Sequence, residues 1–186
     1  MTVTPPALLA LAPCALRANP GTFYYMSTTP DSSLPGPWVE AFWADLGMPL
    51  RSKSNFRRGG ANKDEWARHR RFEADVATVL RVSVPLTWEI GSASDPVAAR
   101  PVVVSVIMAV SLLDAGNFSK SVLDAAEHTV FHNDASVAYT GSLSVRSASD
   151  QNTVVAFARL NPGVSTNEIL DAADHLARAL NDRFSR

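Results

Sequence analysis

Cysteine is nearly absent from this chain of 186 residues, which contains only Cys14. A single cysteine excludes an intramolecular disulfide framework and a zinc site built from cysteines, and it fits a reducing, cytoplasmic setting. A strong charge of either sign is also missing, because 17 basic and 18 acidic residues leave a net charge of -1. This balance excludes a uniformly basic nucleic-acid coat but not a local basic patch.

Long apolar runs are missing as well. The longest, residues 101–113, is interrupted by Ser105 and Ser111 and is too short to cross a membrane. Residues 7–16 are apolar enough for a secretion signal, but no basic residue precedes them and Pro13 interrupts them, which disfavours that interpretation. Hydrophobic residues still make up 46% of the chain, so the sequence indicates a globular protein with a buried core.

Proline divides the chain into two parts. Residues 1–49 contain eight of the 12 prolines and little charge, which predicts a proline-rich arm that is partly disordered or docked. Residues 50–186 are then the main domain. Within the arm, Trp38, Phe42 and Trp43 are at helical spacing, which predicts a short amphipathic helix over residues 37–46.

Basic residues concentrate directly after the arm. Eight of the 17 fall within 21 positions, and they are Arg51, Lys53, Arg57, Arg58, Lys63, Arg68, Arg70 and Arg71. Residues 51–60 are predicted to form a loop, and Asn62 with Glu65 forms a capping box that begins a helix through residue 81. This surface is predicted to bind the phosphates of DNA. The alternative is an ordinary solvated helix face.

The remaining pattern predicts an α+β domain with a small mixed or antiparallel sheet flanked by helices. Strands are predicted over residues 82–90, 101–113, 137–145 and 153–160, and helices over residues 114–128 and from 165 onwards. The polar turn between the last two strands predicts that they pair with each other. Ser165 and Glu168 form the capping box of the final helix.

Two carboxylates flank the middle helix. Asp114 lies at the end of one predicted strand and Asp134 just before the next, so a strand-helix-strand turn is expected to bring them together with Lys120 in reach. Two adjacent carboxylates repel unless a cation lies between them, and Mg²⁺ prefers such oxygen ligands. The alternative assigns Asp114 to a helix cap, Asp134 to a turn and Lys120 to a helical ion pair.

The segments Asp-Ala-Gly-Asn-Phe-Ser-Lys-Ser-Val-Leu-Asp-Ala (114–125) and Val-Phe-His-Asn-Asp-Ala-Ser-Val (130–137) resemble the signature of RusA-type crossover-junction endodeoxyribonucleases. The similarity extends over about residues 50–160 and includes the basic segment ahead of the motif. It implies a RusA-like fold and a homodimer that resolves four-way DNA junctions with magnesium, or with manganese in its place. Acidic residues hold the metal in this family and a lysine assists.

The resemblance transfers roles to individual residues. It implies catalytic roles for Asp114, Lys120 and Asp134, metal binding by Asp114, Asp134 and Asp124, and supporting roles for Asn117 and Asn133. Three positions depart from the family pattern, because Gly116 and Asn133 replace acids and Ser136 replaces a glutamine. Since glycine supplies no ligand, the loss at position 116 weakens the expected metal site.

Three hypotheses therefore stand. The first is an active endonuclease on branched DNA, and the second is a protein of the same fold that only binds such DNA. The third is an unrelated α+β protein whose acids are caps and surface pairs. Among the four histidines only His132 is expected near the site, and Trp66 and Trp88 are predicted to lie in the core.

Overall fold

The computed structural model describes residues 38–48, 63–92, 94–96, 99–110, 115–145 and 153–184. Four strands form the sheet: β1 (Trp38–Asp45), β2 (Val102–Val110), β3 (Val137–Val145) and β4 (Thr153–Leu160). Three helices flank it: α1 (Lys63–Ser83), α2 (Ala115–Ala126) and α3 (Thr166–Phe184). The predicted α+β class is confirmed.

The sheet is mixed, with strand order β1-β4-β2-β3. β4 is antiparallel to both β1 and β2, whereas β2 and β3 are parallel. Helices α1 and α2 pack on one face of the sheet through a core that includes Phe72, Val122 and Phe157. Helix α3 covers the opposite face, where Leu176 and Leu180 belong to a second core.

β4 lies in the interior of the sheet, not beside β3. All eight residues of β4 are buried, as expected for a central strand with both faces covered. The prediction that residues 137–145 and 153–160 pair with each other is therefore wrong. The apolar side chains of β4 gain more burial between β1 and β2 than they would at an edge.

Residues 38–45 form a strand, so the prediction of a helix over residues 37–46 is wrong. Phe42 packs in the core beneath α1 and α2, and its neighbour Trp43 packs in the core beneath α3. Successive residues of a strand point to opposite faces, which is how two adjacent aromatic residues are buried in different cores. Since β1 belongs to the sheet, the predicted domain boundary at residue 49 divides the folded domain.

Residues 82–90 contain no strand. Helix α1 continues to Ser83, and a turn follows in which the amide of Trp88 donates to the carbonyl oxygen of Pro85. Pro85 has no amide hydrogen for a sheet, and the side chain of Leu86 is fully exposed. The predicted cap of the last helix is confirmed, because the Ser165 amide and hydroxyl both donate to Glu168 Oε2.

Helices α1 and α2 run in the same direction across the sheet. The loop after α1 reaches the first residues of β1, where the Thr87 hydroxyl donates to Glu40. It also reaches the turn after α2, where Trp88 Nε1 donates to the carbonyl oxygen of Val130. Both helices thus end where β1 and β2 begin, and we call this the strand-start end. Both begin where β1 and β2 finish, and we call this the helix-start end.

Candidate DNA-binding and catalytic site

The parallel pairing of β2 and β3 separates the two ends of α2. Val103 is the register partner of Val137 and Val110 that of Val145, so both strands begin at the strand-start end. Helix α2 starts after β2 has crossed the sheet and returns over its 12 residues, a length of about 18 Å. The first residue of α2, Ala115, and the residues that precede β3 therefore lie at opposite ends of the sheet.

The predicted meeting of Asp114 and Asp134 involves a residue outside the described part of the chain, but Ala115, the described neighbour of Asp114, lies at the opposite end of the sheet from Asp134. Asp134 begins a single 3-10 turn, Asp134–Ser136, that leads into β3 at the strand-start end. Asp114 lies outside the described residues, one position before Ala115 at the helix-start end. A right-handed crossover needs its helix to span the sheet, so the helix length keeps the two connections apart.

The other predicted residues of α2 lie at increasing distance from its first residue. Asn117 is in the first turn, and Gly116 beside it brings no side chain. Lys120 and Asp124 are both exposed. Asp124 is nine residues beyond Ala115, about 13 Å along the axis. The structure thus keeps Asn117 and Lys120 near the helix-start end and places Asp124 towards the other.

A one-chain magnesium site of Asp114, Asp124 and Asp134 stays a prediction, because Asp114 lies outside the described residues. Asp134 and the start of α2 are separated by the length of the helix. We therefore derive no hydrolytic step through a metal shared by these three acids.

Asn133 and Asp134 behave as turn residues in the described structure. Asn133 Oδ1 accepts a hydrogen bond of 3.1 Å from the amide of Ala135 and caps the 3-10 turn. Asp134 is exposed. The local geometry thus matches the turn alternative for Asp134, and Asn133 caps the same turn.

Only part of the basic segment can be located. Arg51, Lys53, Arg57 and Arg58 lie outside the described residues, in the segment that joins β1 to α1. Lys63 begins α1, and Arg68, Arg70 and Arg71 are exposed on it. The elements on either side of this segment meet at the helix-start end, because β1 finishes there and α1 begins there. Helix α2 begins at the same end.

Acidic neighbours offset part of the positive charge on α1. Arg70 is 3.6 Å from Glu73 and Arg71 is 4.0 Å from Asp75. The helix sequence contains five basic and four acidic residues, so its own net charge is small. The excess of positive charge therefore belongs to residues 51–58, where no acidic residue occurs.

Trp66 lies at the surface, contrary to the prediction of a core position. Its side chain is 48% exposed, and the guanidinium carbon of Arg70 lies 5.7 Å from the centre of its ring. Trp88 is 8% exposed, which confirms the core prediction for that residue. Helical spacing could not predict that Trp66 is exposed while Trp88 is buried, because Trp66 lies at the border of the apolar face of α1.

Two polar clusters have no counterpart in the sequence predictions. His69 is fully buried on α1, and its Nε2 lies 3.0 Å from Glu73 Oε1. Arg159 is buried at the strand-start end, where its Nη1 donates to Glu89 and its Nη2 lies 3.6 Å from Glu40. The four-residue spacing of His69 and Glu73 was visible in the sequence, whereas the Arg159 cluster depends on strand register.

Comparison with known proteins adds no family assignment, because neither a protein-family model nor a curated protein matches the chain. Among the helices of the described residues, none has the length and apolarity needed to cross a membrane.

Proposed function

We propose that this chain acts on branched DNA as a junction endonuclease of the RusA type, with its DNA-binding surface at the helix-start end. One observation carries the proposal. The basic segment and the Asp114–Lys120 motif are far apart in sequence, yet both adjoin helices that begin at this end of the sheet. A site that cuts a phosphodiester must bring the phosphates of the DNA, held by basic residues, next to the acid-lysine motif.

Helix polarity supports the same surface. Helices α1 and α2 both begin there, so the positive ends of two helix dipoles lie at one end of the sheet. Exposed Lys120 adds a cationic side chain about one and a half turns into α2. Together with the basic residues 51–58, these groups favour binding of a polyanion.

Asp134 could take part in the site at the helix-start end if it came from a second chain. We propose a homodimer with two-fold symmetry in which Asp134 of one chain approaches the helix-start end of the other. Each dimer would then have two equivalent sites, which suits a junction with two-fold symmetry. Magnesium, or manganese, would meet Asp114 of one chain and Asp134 of the other.

The second candidate function is binding of branched DNA without cutting. It is favoured by the distance between Asp134 and the start of α2 and by Gly116, which leaves the first turn of α2 without the acid of the family pattern. In this case the helix-start end grips DNA, while Asp134 and Asn133 only shape the turn before β3.

A cleavage assay separates the two functions. The full chain is incubated with a labelled four-way junction or with a linear duplex of matched length, in each case with magnesium or with chelator. Metal-dependent nicks on the junction alone support the endonuclease, and a retarded but uncut junction supports the binding protein. Lys120→Ala should reduce cutting, whereas Arg81→Ala, at the far end of α1, should not. If the chain neither cuts the junction nor binds it selectively, both functions are contradicted.

A further inference from the structure

Two histidines face each other on the turn between α2 and β3. The ring centres of His128 and His132 are 5.5 Å apart, and the ring planes are inclined by 55°. His128 is exposed and His132 is half-buried. Because α2 ends at Ala126, the pair does not lie on a helix face, and the turn itself brings the imidazoles together.

The backbone of this turn is closely tied to the core. The amide of His128 donates to the carbonyl oxygen of Phe131 at 2.7 Å, and Glu127 and Phe131 form an isolated β-bridge. The side chains of Val130 and Phe131 are buried, and the Val130 carbonyl accepts a hydrogen bond from Trp88. The backbone positions of the two histidines are therefore held by the packed residues between them.

His128 also has an unusual backbone conformation. Its φ is 62°, and among the described residues it is the only one other than glycine with a positive φ. Glycine or asparagine would meet this conformation at lower cost than an imidazole side chain. A strained residue held in place by its surroundings is a feature of ligand sites.

We propose that His128 and His132 chelate a divalent transition-metal ion of the Zn²⁺, Ni²⁺ or Cu²⁺ class. With a metal-nitrogen distance of about 2.1 Å, two imidazoles on one tetrahedral ion have ring centres about 5 Å apart. The observed separation of 5.5 Å between the ring centres is close to this value. Neutral imidazole selects these metals, whereas magnesium prefers oxygen ligands.

Water completes the coordination of this ion. No three-residue group of His, Cys, Asp and Glu ligands is found in the part of the chain that the structure describes. The neighbouring Asn133 oxygen already accepts from Ala135. The site should therefore bind more weakly than a structural zinc site with four protein ligands. The pair is argued from its own geometry and does not rest on the proposed function, although His132 is two residues before Asp134, which the proposed dimer assigns to the magnesium site.

Isothermal titration of the full chain with Ni²⁺ tests this site. We expect one ion per chain with a dissociation constant on the order of 10 µM. His128→Asn, which tolerates the left-handed backbone, and His132→Gln should each weaken binding by at least about tenfold. His175→Gln, an exposed histidine of α3, is the matched control and should bind as the parent does.

Two further measurements make the outcome decisive. Circular dichroism should show unchanged folding of each variant, and Cu²⁺ paramagnetic resonance should show coupling to two imidazole nitrogens. The titration is also carried out with Zn²⁺, on the Cys14→Ser variant, so that the Cys14 thiol does not bind the metal. The proposal is overturned if the parent chain binds no Ni²⁺ below the millimolar range, or if either His128→Asn or His132→Gln binds Ni²⁺ as tightly as the parent chain.

Discussion

Val103 of β2 lies opposite Val137 of β3 in a parallel pair, so both strands begin at the same end of the sheet. Helix α2 must therefore return across the sheet between them. This single relationship places the connection before α2 and the connection before β3 at opposite ends. It also places the first residues of α2, including Asn117, at the end of the sheet where β2 finishes.

Mixing two inactive variants tests the division of the site between two chains. Asp114→Asn and Asp134→Asn should each abolish cutting of a four-way junction. A mixture that has exchanged subunits should regain about one quarter of the wild-type sites, because half of the dimers are mixed and each has one intact site. Nicks are counted on a labelled junction.

The control for this experiment is the double variant with both substitutions on one chain. Mixed with wild type, it leaves no fully intact site in a mixed dimer if the site is shared between chains. Full activity of Asp134→Asn alone, or no recovery on mixing, would reject the shared site.

The Arg159 cluster should be important for stability. Arg159 is buried, contacts Glu40 and Glu89, and its guanidinium lies 5.9 Å from the centre of the Trp88 ring. Arg159→Ala leaves the carboxylate of Glu40 without this cation, so we expect the free energy of unfolding to fall by about 3 kcal/mol. Urea denaturation measures the change.

Glu89→Gln is the matched variant for that cluster. The Glu89 side chain is 78% exposed, so losing its contact to Arg159 should cost less than about 1 kcal/mol. If the free energy of unfolding fell equally in Arg159→Ala and Glu89→Gln, the buried Glu40 contact would add nothing to stability beyond the exposed Glu89 contact.

Acid should weaken the start of α3. Hydrogen bonds from the Ser165 backbone amide and then from its hydroxyl hold the pKa of the Glu168 carboxyl below its usual value of 4.5. A carboxyl with a lowered folded-state pKa stabilises the fold above its unfolded pKa, and this stability is lost as pH falls through the folded pKa. Part of the stability of the chain should therefore disappear below pH 4.5.

Two variants isolate this contribution in urea titrations at neutral and acidic pH. Ser165→Ala should lower stability at neutral pH by about 1 kcal/mol, the usual cost of losing an N-cap. The difference from the parent chain should shrink in acid. Asp171→Asn, further along α3, lacks the Ser165 bonds and serves as control. A Ser165→Ala deficit that is unchanged in acid would contradict the role of Glu168.

Local signals predicted much of this fold. The capping box at Ser165 and Glu168 and the extents of β3, β4 and α1 follow from short-range patterns that the structure confirms. The failures come from long-range pairing. The spacing of Phe42 and Trp43 suits a helix as well as a strand. Both are buried in a strand because helices cover the two faces of the sheet, with α3 on the face of Trp43.

The candidate site was predictable to a smaller extent. Spacing along α2 correctly kept Asn117 and Lys120 close to the helix start. Whether Asp134 joins them depends on the parallel or antiparallel sense of β2 and β3, and the helix between these strands already favours the parallel sense, which places Asp134 at the other end of the sheet. The His128–His132 pair was hidden because the turn geometry that joins the rings is not a repeating pattern.

Affinity for a four-way junction tests the DNA-binding end most directly. Arg68→Glu with Arg71→Glu reverses two exposed charges in the first half of α1, and Arg81→Glu with Arg178→Glu reverses two exposed charges elsewhere. We predict that the first pair weakens binding at least about tenfold and lowers the salt dependence, because phosphate contacts are lost. The second pair should bind as wild type does. Equal effects of the two pairs would contradict a DNA-binding surface at the helix-start end.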